Sequence, residues 1–303
     1  QVSVGLDTTA TGAGWGVGTW GSDGWGLAAT TPIVTNTLRI WSHDNFGEDL
    51  LINVRNGGIY YWDKTGGFAT RAVSLDSLSG STSAPTIAKQ IMVSDRDRHI
   101  IAFGCDSELS PGVQDPLLIR FSSQESLTEW ATRPDNTAGE LKIGSGSEII
   151  AAVETRQQIL VYTDESLYAM QFLGPPFTFG VNLVSENTTI MGPLSAAAVE
   201  DNVFWMGLKE FYSYGGTVQR LPCTVRDFVF DDFNLLQREK VVAATNTAFS
   251  EIWWFYPSGS SDTNDRYVVY NYEQQVWYYG TLSRSYWMDR GIFDNPIAAG
   301  PNN

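Results

Sequence analysis

The sequence is poor in the residues that most often perform catalysis or bind metals. Of its 303 residues, two are histidine and two are cysteine. A Ser-His-Asp site would need His43 or His99 as its base, and the sequence has no GxSxG turn to accompany them. Neither histidine has the spacing of a metal-ligand pair. Cys105 and Cys223 do not form a CxxC motif, so the sequence predicts two ordinary thiols, or at most one disulfide.

Basic residues and long apolar runs are scarce as well. Lys and Arg number 19 against 34 Asp and Glu, which gives a formal net charge of −15. Proteins that hold nucleic acid tightly neutralise phosphates with Lys and Arg, so tight binding is not expected, although DNA can still slide past such a surface. No apolar run approaches the roughly 20 residues of a membrane helix, and no signal peptide is visible. Because the chain starts at Gln1, we expect a piece of a longer polypeptide.

Acidic residues are so common that pairs of them carry little information. Three pairs suit the two-carboxylate chemistry of glycosidases in residue type only: Glu48 with Asp49, Asp231 with Asp232, and Glu125 with Glu129. Residues 42–46 (SHDNF) begin like the Asp box of sialidase-like propellers, but a phenylalanine stands where glycine belongs. The loop at 258–265 (SGSSDTND) offers oxygen ligands without matching an EF-hand. We therefore assign no catalytic, cofactor-binding or metal-binding residue.

Glycine and tryptophan are abundant, and both are concentrated near the start of the chain. Residues 12–26 (GAGWGVGTWGSDGWG) place Trp15, Trp20 and Trp25 five residues apart. Such dense glycine excludes a helix, so we predict that residues 1–38 form an extended arm or edge segment. The GxGxxG match at 16–21 lacks the flanking strand and helix of a dinucleotide site. The three tryptophans either pack locally or contact a partner, since Trp is enriched at interface hot spots.

The remainder of the chain repeats. Short apolar runs begin near Leu51, Ile100, Ile149, Ser195 and Val242, at intervals of 49, 49, 46 and 47 residues. Each is followed by strand-like segments rich in Val, Ile, Tyr, Trp and Phe. A period of about 40–50 residues with about four strands per unit is typical of a β-propeller. We predict an all-β propeller of about five to six blades over residues 39–282, with one short helix or loop crossing between blades at 225–238.

The last residues, 283–303, are predicted to form an extended C-terminal segment, and the end of the chain has room for part of a sixth blade.

Several stretches, taken together and in order, resemble one known family. They are residues 39–51, 55–63, 118–130 (LIRFSSQESLTEW), 136–141, 144–149, 173–180 (LGPPFTFG) and 221–234 (LPCTVRDFVFDDFN). The series is similar to the tail-nozzle, or tail-hub, β-propeller proteins of short-tailed bacteriophages, and the likeness covers roughly residues 15–282. Family members are usually longer, with further domains around the propeller.

The resemblance implies a non-enzymatic structural protein of the virion tail. Such nozzles form rings of six copies that retain packaged DNA and provide its exit channel. The expected partners are copies of the same chain, the tail adaptor, and fibre, spike or plug proteins. Double-stranded DNA would pass without sequence-specific binding, and membrane insertion is not expected. The family's role involves no catalytic or cofactor residues, and an acidic protein suits a conduit because it repels phosphates.

Two other classes of protein stay open at this point. A soluble carbohydrate-binding or glycan-cleaving propeller would use its aromatic side chains to stack on sugars. Against this, the turns of successive units differ in sequence, whereas lectin propellers tend to repeat their binding residues. An adaptor propeller of a cellular assembly is the third class, and the ordered series of phage-like stretches argues against it.

Overall fold

In residues 38–174 and 176–300, which the computed structural model describes, short strands form five four-stranded sheets and one two-stranded sheet. Each four-stranded sheet uses consecutive antiparallel strands in chain order. A sheet built from one local stretch of chain and stacked on its neighbours is the blade of a propeller. The all-β propeller predicted from the sequence is therefore confirmed, and the number of blades agrees with the prediction.

The elements follow one another along the chain. Blade 1 contains β1 (Trp41–Phe46), β2 (Asp49–Val54), β3 (Ile59–Trp62) and β4 (Val73–Ser74). Blade 2 contains β5 (Gln90–Val93), β6 (Ile100–Phe103), β7 (Leu118–Phe121) and β8 (Gly139–Lys142). Blade 3 contains β9 (Ile149–Glu154), β10 (Ile159–Thr163), β11 (Ser166–Gly174) and β12 (Thr178–Glu186). Blade 4 contains β13 (Ala196–Val199), β14 (Asn202–Met206), β15 (Phe211–Tyr214) and β16 (Val218–Leu221). Blade 5 contains β17 (Val242–Asn246), β18 (Glu251–Tyr256), β19 (Arg266–Asn271) and β20 (Val276–Thr281).

The two-stranded sheet, here called sheet six, contains β21 (Tyr286–Met288) and β22 (Ile297–Ala299). A single short α-helix, α1 (Arg226–Asp231), lies among the described residues and crosses from blade 4 to blade 5, as the sequence predicted. 3-10 helices occur at Lys64–Gly66, Leu75–Ser77, Leu235–Lys240 and Thr247–Phe249. Within the described residues, no helix has the length and apolar character needed to cross a membrane.

The first strand of each blade lies towards the middle of the ring. There β1 packs against β5, β13 against β17, and β17 against β21. The middle strands β6 and β10 are buried along their whole length. A strand covered on both faces reads as a continuous apolar run, which explains why the sequence shows little polar–apolar alternation there.

Alternate residues of one strand serve two different cores. In β10, Ile159 and Val161 join the core between blades 2 and 3, whereas Leu160 and Tyr162 join the core between blades 3 and 4. This division follows from the two-residue period of a strand. Two further clusters of buried side chains lie between blades 1 and 2 and between blades 4 and 5. Each of these four interfaces is therefore filled from both sides.

The predicted repeat has the right length, but the positions taken as unit starts do not fall on the same strand of every blade. The starts at Leu51 and Ile100 fall in second strands, β2 and β6, whereas the later starts fall at first strands. First strands begin at residues 41, 90, 149, 196 and 242, so the true spacings are 49, 59, 47 and 46. Blade 2 is the longest because extended loops, 104–117 and 122–138, flank its third strand. The extra length of these loops cancels the change from second strands to first strands, so the predicted intervals looked regular.

Sheet six occupies most of the span that the sequence predicted as an extended C-terminal segment. Trp287 of β21 stacks on Trp253 of blade 5 with ring centroids 5.7 Å apart and planes 10° from parallel. Its indole Nε1 donates to the carbonyl oxygen of Thr245 at 3.0 Å. Sheet six therefore continues the ring beyond blade 5.

Candidate functional site

A cavity of about 860 Å³ lies where the inner strands meet. Its wall includes residues 38–44 of blade 1, residues 89–92 at the start of blade 2, and residues 285 and 286 of sheet six. The approaches to blades 4 and 5 contribute residues 193 and 194 and residues 239, 240 and 242. The volume is within the range of small-molecule sites, roughly 300–1,000 Å³. This central cavity is the principal candidate site of the described residues.

Charged side chains line one part of the central cavity. Four are cationic, namely Arg39, Arg55, Lys89 and Lys240, and two are anionic, namely Asp44 and Glu239. Burial lowers the pKa of Arg55, and the negative charges of Glu239 and Glu148 act in the opposite direction. Lys89 is almost fully buried and forms an ion pair with Glu148. The cavity wall thus carries more positive than negative groups although the whole chain is acidic.

The polar side chains of β1 that face blade 2 are used to join the two blades. The backbone N–H of Ile91 donates to Ser42 Oγ at 3.2 Å, and that of Val93 donates to Asp44 Oδ2 at 2.8 Å. A further joint of this kind links blades 2 and 3, where Gln90 both donates to the carbonyl of Ala152 and accepts from its N–H, at 2.8 and 2.9 Å. These side chains hydrogen-bond to the backbone of the next blade, where no strand pairs with it. Ser42 and Asp44 therefore have a structural role.

Asn264 is a buried polar side chain that lines the cavity. Its amide nitrogen donates to the carbonyl oxygens of Lys240 at 2.7 Å and Arg284 at 3.1 Å. These two bonds hold the connection into blade 5 beside the strand that begins sheet six. Together with Trp41 and Tyr286 on the wall, the cavity offers aromatic and amide groups that suit non-covalent binding of a small polar molecule.

An acidic group lies at the interface of blades 2 and 3, near one rim of the ring. Burial, together with the charges of Asp95, Asp44 and Asp97, raises the pKa of Glu154 to about 7. Its Oε1 also accepts the backbone N–H of Asp95 at 3.0 Å. Because this side chain takes up a proton close to neutral pH, the interface of blades 2 and 3 is expected to respond to pH.

The two histidines occupy contrasting positions. His43 lies on β1 with its side chain exposed. His99 lies directly before β6 and is completely buried, and its Nδ1 lies 2.7 Å from the carbonyl oxygen of Ser122. Burial lowers the pKa of His99, and its ring packs against Phe121 and Phe179. A neutral imidazole fits this apolar surrounding.

The three candidate carboxylate pairs lie on separate parts of the ring. Asp49 accepts from Tyr61 Oη at 2.6 Å and from the N–H of Lys64 at 3.0 Å. Asp232 pairs with Arg266 at 2.6 Å. Glu125 pairs with Arg98 at 3.6 Å. Each of these three carboxylates is therefore occupied in a local contact.

The remaining sequence candidates take structural positions or lie elsewhere. Cys105 is buried and Cys223 half-buried, both are free thiols, and burial raises the pKa of Cys223 to about 11. In the loop at 258–265, Asp265 accepts from the N–H and hydroxyl of Ser258, both at 2.7 Å. The possible partner contacts Trp15, Trp20 and Trp25 lie outside the described residues.

Sequence reasoning missed the central cavity and its charged wall. Arg55 comes directly after β2 and before a turn, and Lys89 comes directly before the apolar strand β5. Neither residue belongs to a recognisable motif. These groups come together only because the inner strands of distant blades converge. In the sequence, these residues are visible only as charged residues next to first strands. Ordinary solvated turns place charged residues at the same positions, so the pattern does not indicate a site.

Comparisons with known proteins bear on the fold alone. No family model matches the chain, and no curated protein matches it. The computationally designed protein Ika8 is 10% identical, with a TM-score of 0.51 and coverage of 88% of this chain and 69% of that chain. Hsv2 from Kluyveromyces lactis is 12% identical, with a TM-score of 0.44 and coverage of 79% and 62%. This chain therefore spans less than two thirds of that Hsv2 structure. A fungal alcohol oxidase of the AA5 family in complex with copper is 11% identical, with a TM-score of 0.48 and coverage of 80% and 53%.

Proposed function

We propose that this chain is a structural component of a short-tailed bacteriophage tail, a nozzle or hub that assembles as a ring, retains packaged DNA and forms its exit channel. In this proposal it acts without catalysis. The ring contains about six copies and contacts the tail adaptor and fibre, spike or plug proteins. The proposal starts from the ordered series of phage-like stretches in the sequence.

The observation that carries the proposal is what those stretches do in the fold. Residues 118–130 form β7 and the loop after it, around the buried Arg120. The Arg120 guanidinium donates to the carbonyl oxygens of Ser83, Asp106 and Trp130, at 2.6, 3.2 and 3.3 Å. Three loop carbonyls are thereby held by one buried cation. Residues that hold the architecture are expected to recur among structural proteins of one family.

A second stretch, residues 221–234, has the same character. It contains α1 and the crossing from blade 4 to blade 5. Arg226 pairs with Glu210 at 3.0 Å and donates to the carbonyl oxygen of Lys209 at 2.9 Å. Asp232 pairs with Arg266 of β19. These contacts fix the crossing segment on both blades.

The dimensions of the ring of blades restrict where DNA would travel. The central cavity measures about 860 Å³, which is within the range of small-molecule sites of roughly 300–1,000 Å³. The proposal therefore does not route a duplex through the middle of one propeller. Under the proposal, the exit channel lies on the axis of the assembled ring, between copies. The formal charge of −15 per copy would repel the phosphates and keep the duplex mobile.

The hairpin between β11 and β12 is the contact that we select for testing assembly. It belongs to the phage-like stretch 173–180, and it exposes Leu173 and Phe177, the latter at 72%. Exposed apolar side chains at a hairpin tip suit a contact between copies. Leu109, in the long loop of blade 2 and 91% exposed, lies outside the phage-like stretches and serves as a matched control.

Light scattering and negative-stain electron microscopy of the full chain, alone and with its tail adaptor, test the proposal. The expected result is a closed ring of about six copies with an axial hole wide enough for a duplex. Phe177→Ser is expected to abolish the ring, and Leu109→Ser to leave it intact. A chain that stays monomeric with the adaptor present, or that binds glycans on an array, would overturn the proposal and favour the carbohydrate-binding alternative.

A further inference from the structure

The side chains that line the central cavity suit an anionic ligand, and the proposed tail function makes no use of them. We propose that the cavity binds a small organic oxyanion, a molecule with a carboxylate or phosphate group and at least one hydroxyl group. Arg55 and Lys89 bind the anionic group, and Asn264 accepts from the hydroxyl. The inference is independent of the proposed function, because it depends only on the residues that line the cavity.

Arg55 is a half-buried cation with unused hydrogen-bond donors. Its backbone N–H donates to the carbonyl oxygen of Ile40 at 2.9 Å, which holds the residue beside the inner strand of blade 1. The negative charges of Glu239 and Glu148 act on its guanidinium, but within the described residues neither carboxylate forms an ion pair or a hydrogen bond with it. A guanidinium presents five N–H donors in a planar fork that matches carboxylate and phosphate groups. No described residue therefore competes with a bound anion for the fork of Arg55.

Lys89 places a second cation on the same wall. Its side chain is 6% exposed, and its ammonium pairs with Glu148. The aliphatic part of the side chain packs directly over Gly104, where an added Cβ would lie 2.7 Å from Lys89 Cδ. An ammonium has three donors, and the pair with Glu148 uses one of them. Lys89 is therefore held in a fixed position with donors left for a ligand.

The charges around the cavity favour an anion. Four cationic side chains line it against two carboxylates, those of Asp44 and Glu239. Glu148, which pairs with Lys89 from outside the lining, brings the carboxylates to three. Asp44 is already occupied by the backbone N–H groups of Val93 and Asn45. The site is therefore net positive in a chain whose formal net charge is −15.

Asn264 supplies a buried acceptor that has no donor. Its side chain is 4% exposed, and the two bonds from its amide nitrogen to the carbonyl oxygens of Lys240 and Arg284 fix the orientation of the amide. Its Oδ1 accepts no hydrogen bond within the described residues. A buried acceptor without a donor is unfavourable, and native structures rarely retain one without a partner. A ligand hydroxyl is the donor that this oxygen lacks.

The size of the cavity favours an organic molecule over a bare ion. Its volume of about 860 Å³ is within the range of sites for small organic ligands. Trp41, Tyr286 and Met92 lie on the wall together with the charged groups. These side chains offer apolar contact to the carbon skeleton of a ligand. Inorganic phosphate alone would leave most of this surface uncovered.

Titration of the full chain, followed by NMR, tests binding at this site. Citrate and glucose 6-phosphate are the probes, since each carries hydroxyl groups together with a carboxylate or a phosphate. We expect one or both to shift the Arg55 Nε–Hε signal and the Asn264 side-chain amide signals, with a dissociation constant of about 1 mM or below. The probe that binds more tightly identifies the anionic group, and glucose, which is neutral, is expected to leave the signals unchanged. The absence of saturable shifts with both anions, or equal shifts with glucose, would overturn the proposal.

Two arginine substitutions test the anionic end. Arg55→Gln is expected to weaken binding of the tighter probe at least about tenfold, because it removes a charged fork. Arg55→Lys keeps the charge and should recover part of the loss. Arg71→Gln removes the same charge from an exposed residue outside the cavity and is expected to change affinity less than about twofold. Equal effects of Arg55→Gln and Arg71→Gln would show attraction by overall charge only, and would overturn the site.

Ser285 provides a second test that does not depend on a buried residue. It is exposed and lies on the cavity wall, so substitutions there are expected to leave the fold intact. Ser285→Glu adds a negative charge and is expected to weaken binding at least about threefold relative to the neutral Ser285→Gln. Equal affinities of these two variants would contradict an anion in the cavity.

The hydroxyl contact is tested by changing the probe and not the protein. Tricarballylate is citrate without its hydroxyl group. We expect it to bind at least about threefold more weakly than citrate, because it leaves the Asn264 oxygen without a donor. Equal affinities of citrate and tricarballylate would overturn the role of Asn264 and the hydroxyl in the ligand.

Discussion

The interface between blades 4 and 5 differs from the junction between blade 1 and sheet six, here called the seam, in how far aromatic side chains are buried. Between blades 4 and 5, Trp254 is fully buried, and its Nε1 reaches across to the carbonyl oxygen of Ser195 at 3.0 Å. Its ring packs against Phe211 with centroids 5.0 Å apart. At the seam, Trp41 of blade 1 and Tyr286 of sheet six leave nearly half of their surfaces exposed. Both interfaces contain aromatic side chains, but the interface of blades 4 and 5 has a four-stranded sheet on each side and the seam does not.

The comparison shows that apolar composition does not by itself close a blade interface. A strand with two faces needs two neighbours, and sheet six provides too little surface to bury the face of blade 1. In a propeller each blade contributes to two cores, so one incomplete blade leaves two faces uncovered.

Replacing a tryptophan at each interface would give the largest contrast. Trp254→Ala removes a fully buried ring and is expected to cost about 3–5 kcal/mol of unfolding free energy. Trp41→Ala is expected to cost about 1–2 kcal/mol, because this side chain starts half-exposed. Chemical denaturation of both variants measures the difference. Equal losses would show that the seam is packed as tightly as the interface of blades 4 and 5.

The connection into blade 3 allows a test of backbone strain at a closed interface. Gly146 has φ +99°, and an added Cβ would lie 2.7 Å from Thr163 Cβ. We expect Gly146→Ala to cost about 2 kcal/mol or more, as a positive φ disfavours alanine. Gly144, two residues earlier, has open space around it, so Gly144→Ala is the control and is expected to be near neutral. A drop in thermal midpoint for Gly144→Ala as large as that for Gly146→Ala would refute this reading.

Adjacent residues of β1 face opposite sides of blade 1. Asp44 faces the filled interface with blade 2, and His43 faces the seam. Asp44→Ala leaves the buried N–H of Val93 without its acceptor and is expected to cost about 1–2 kcal/mol. His43→Ala acts on the exposed face and is expected to change stability by less than about 0.5 kcal/mol. Asp44→Asn keeps an acceptor oxygen and should recover part of the loss. Urea denaturation of the three variants checks this order, and a larger loss for His43→Ala would reverse the assignment of faces.

The pH response of the interface between blades 2 and 3 is the smallest expected effect. Burial, with the nearby Asp95, Asp44 and Asp97, raises the pKa of Glu154 from 4.5 to about 7, so the folded state holds a proton that the unfolded chain releases. Stability contributed by the neutral form is complete below pH 4.5 and is lost as pH rises towards 7. Glu154→Gln keeps the acceptor for the N–H of Asp95, and is expected to be about 1 kcal/mol more stable than the natural chain at pH 8. At pH 4.5 the two should be equal, and a gap that did not change with pH would exclude the titration of Glu154.

The sequence predicted the strands well wherever their signal was local. In the third unit of the repeat the sequence itself indicates two strands, 159–163 (ILVYT) and 167–172 (LYAMQF), with a polar turn between them, and these segments lie in β10 and β11. In the first unit Asn56–Gly57 indicates a tight turn, and Gly57 N–H donates to the carbonyl oxygen of Val54 at 2.7 Å. Such elements are specified by β-branched and aromatic residues next to turn formers, all within one short window.

The phase of the first two blades and the existence of sheet six were harder to predict. Strand β1 (WSHDNF) carries polar residues because Ser42 and Asp44 bind the backbone of the next blade, so it did not read as the start of a repeat. The strands of sheet six are three residues long and are separated by an exposed loop. Their position depends on Trp287 packing against blade 5, which is a tertiary contact.

The candidate site was beyond local reasoning for the same reason. Arg55 and Glu239 are far apart in the chain and meet only where inner strands converge. Arg120 lies in an otherwise apolar strand, LIRF, and the residues around it do not indicate that it donates to three loop carbonyls. Convergence of side chains from several blades can be inferred from sequence only after the order and phase of the blades are known.

The seam also sets the order in which the molecule is expected to assemble and come apart. Neighbouring first strands β1 and β5 start 49 residues apart, whereas β1 and β21 start 245 residues apart. Closing the longer loop costs about 1.4 kcal/mol more conformational entropy. Contacts between successive blades should therefore form early, and the join between the two ends of the ring should form last. Under heat or mechanical load the same join should be the first to open, which makes it the latch of the propeller.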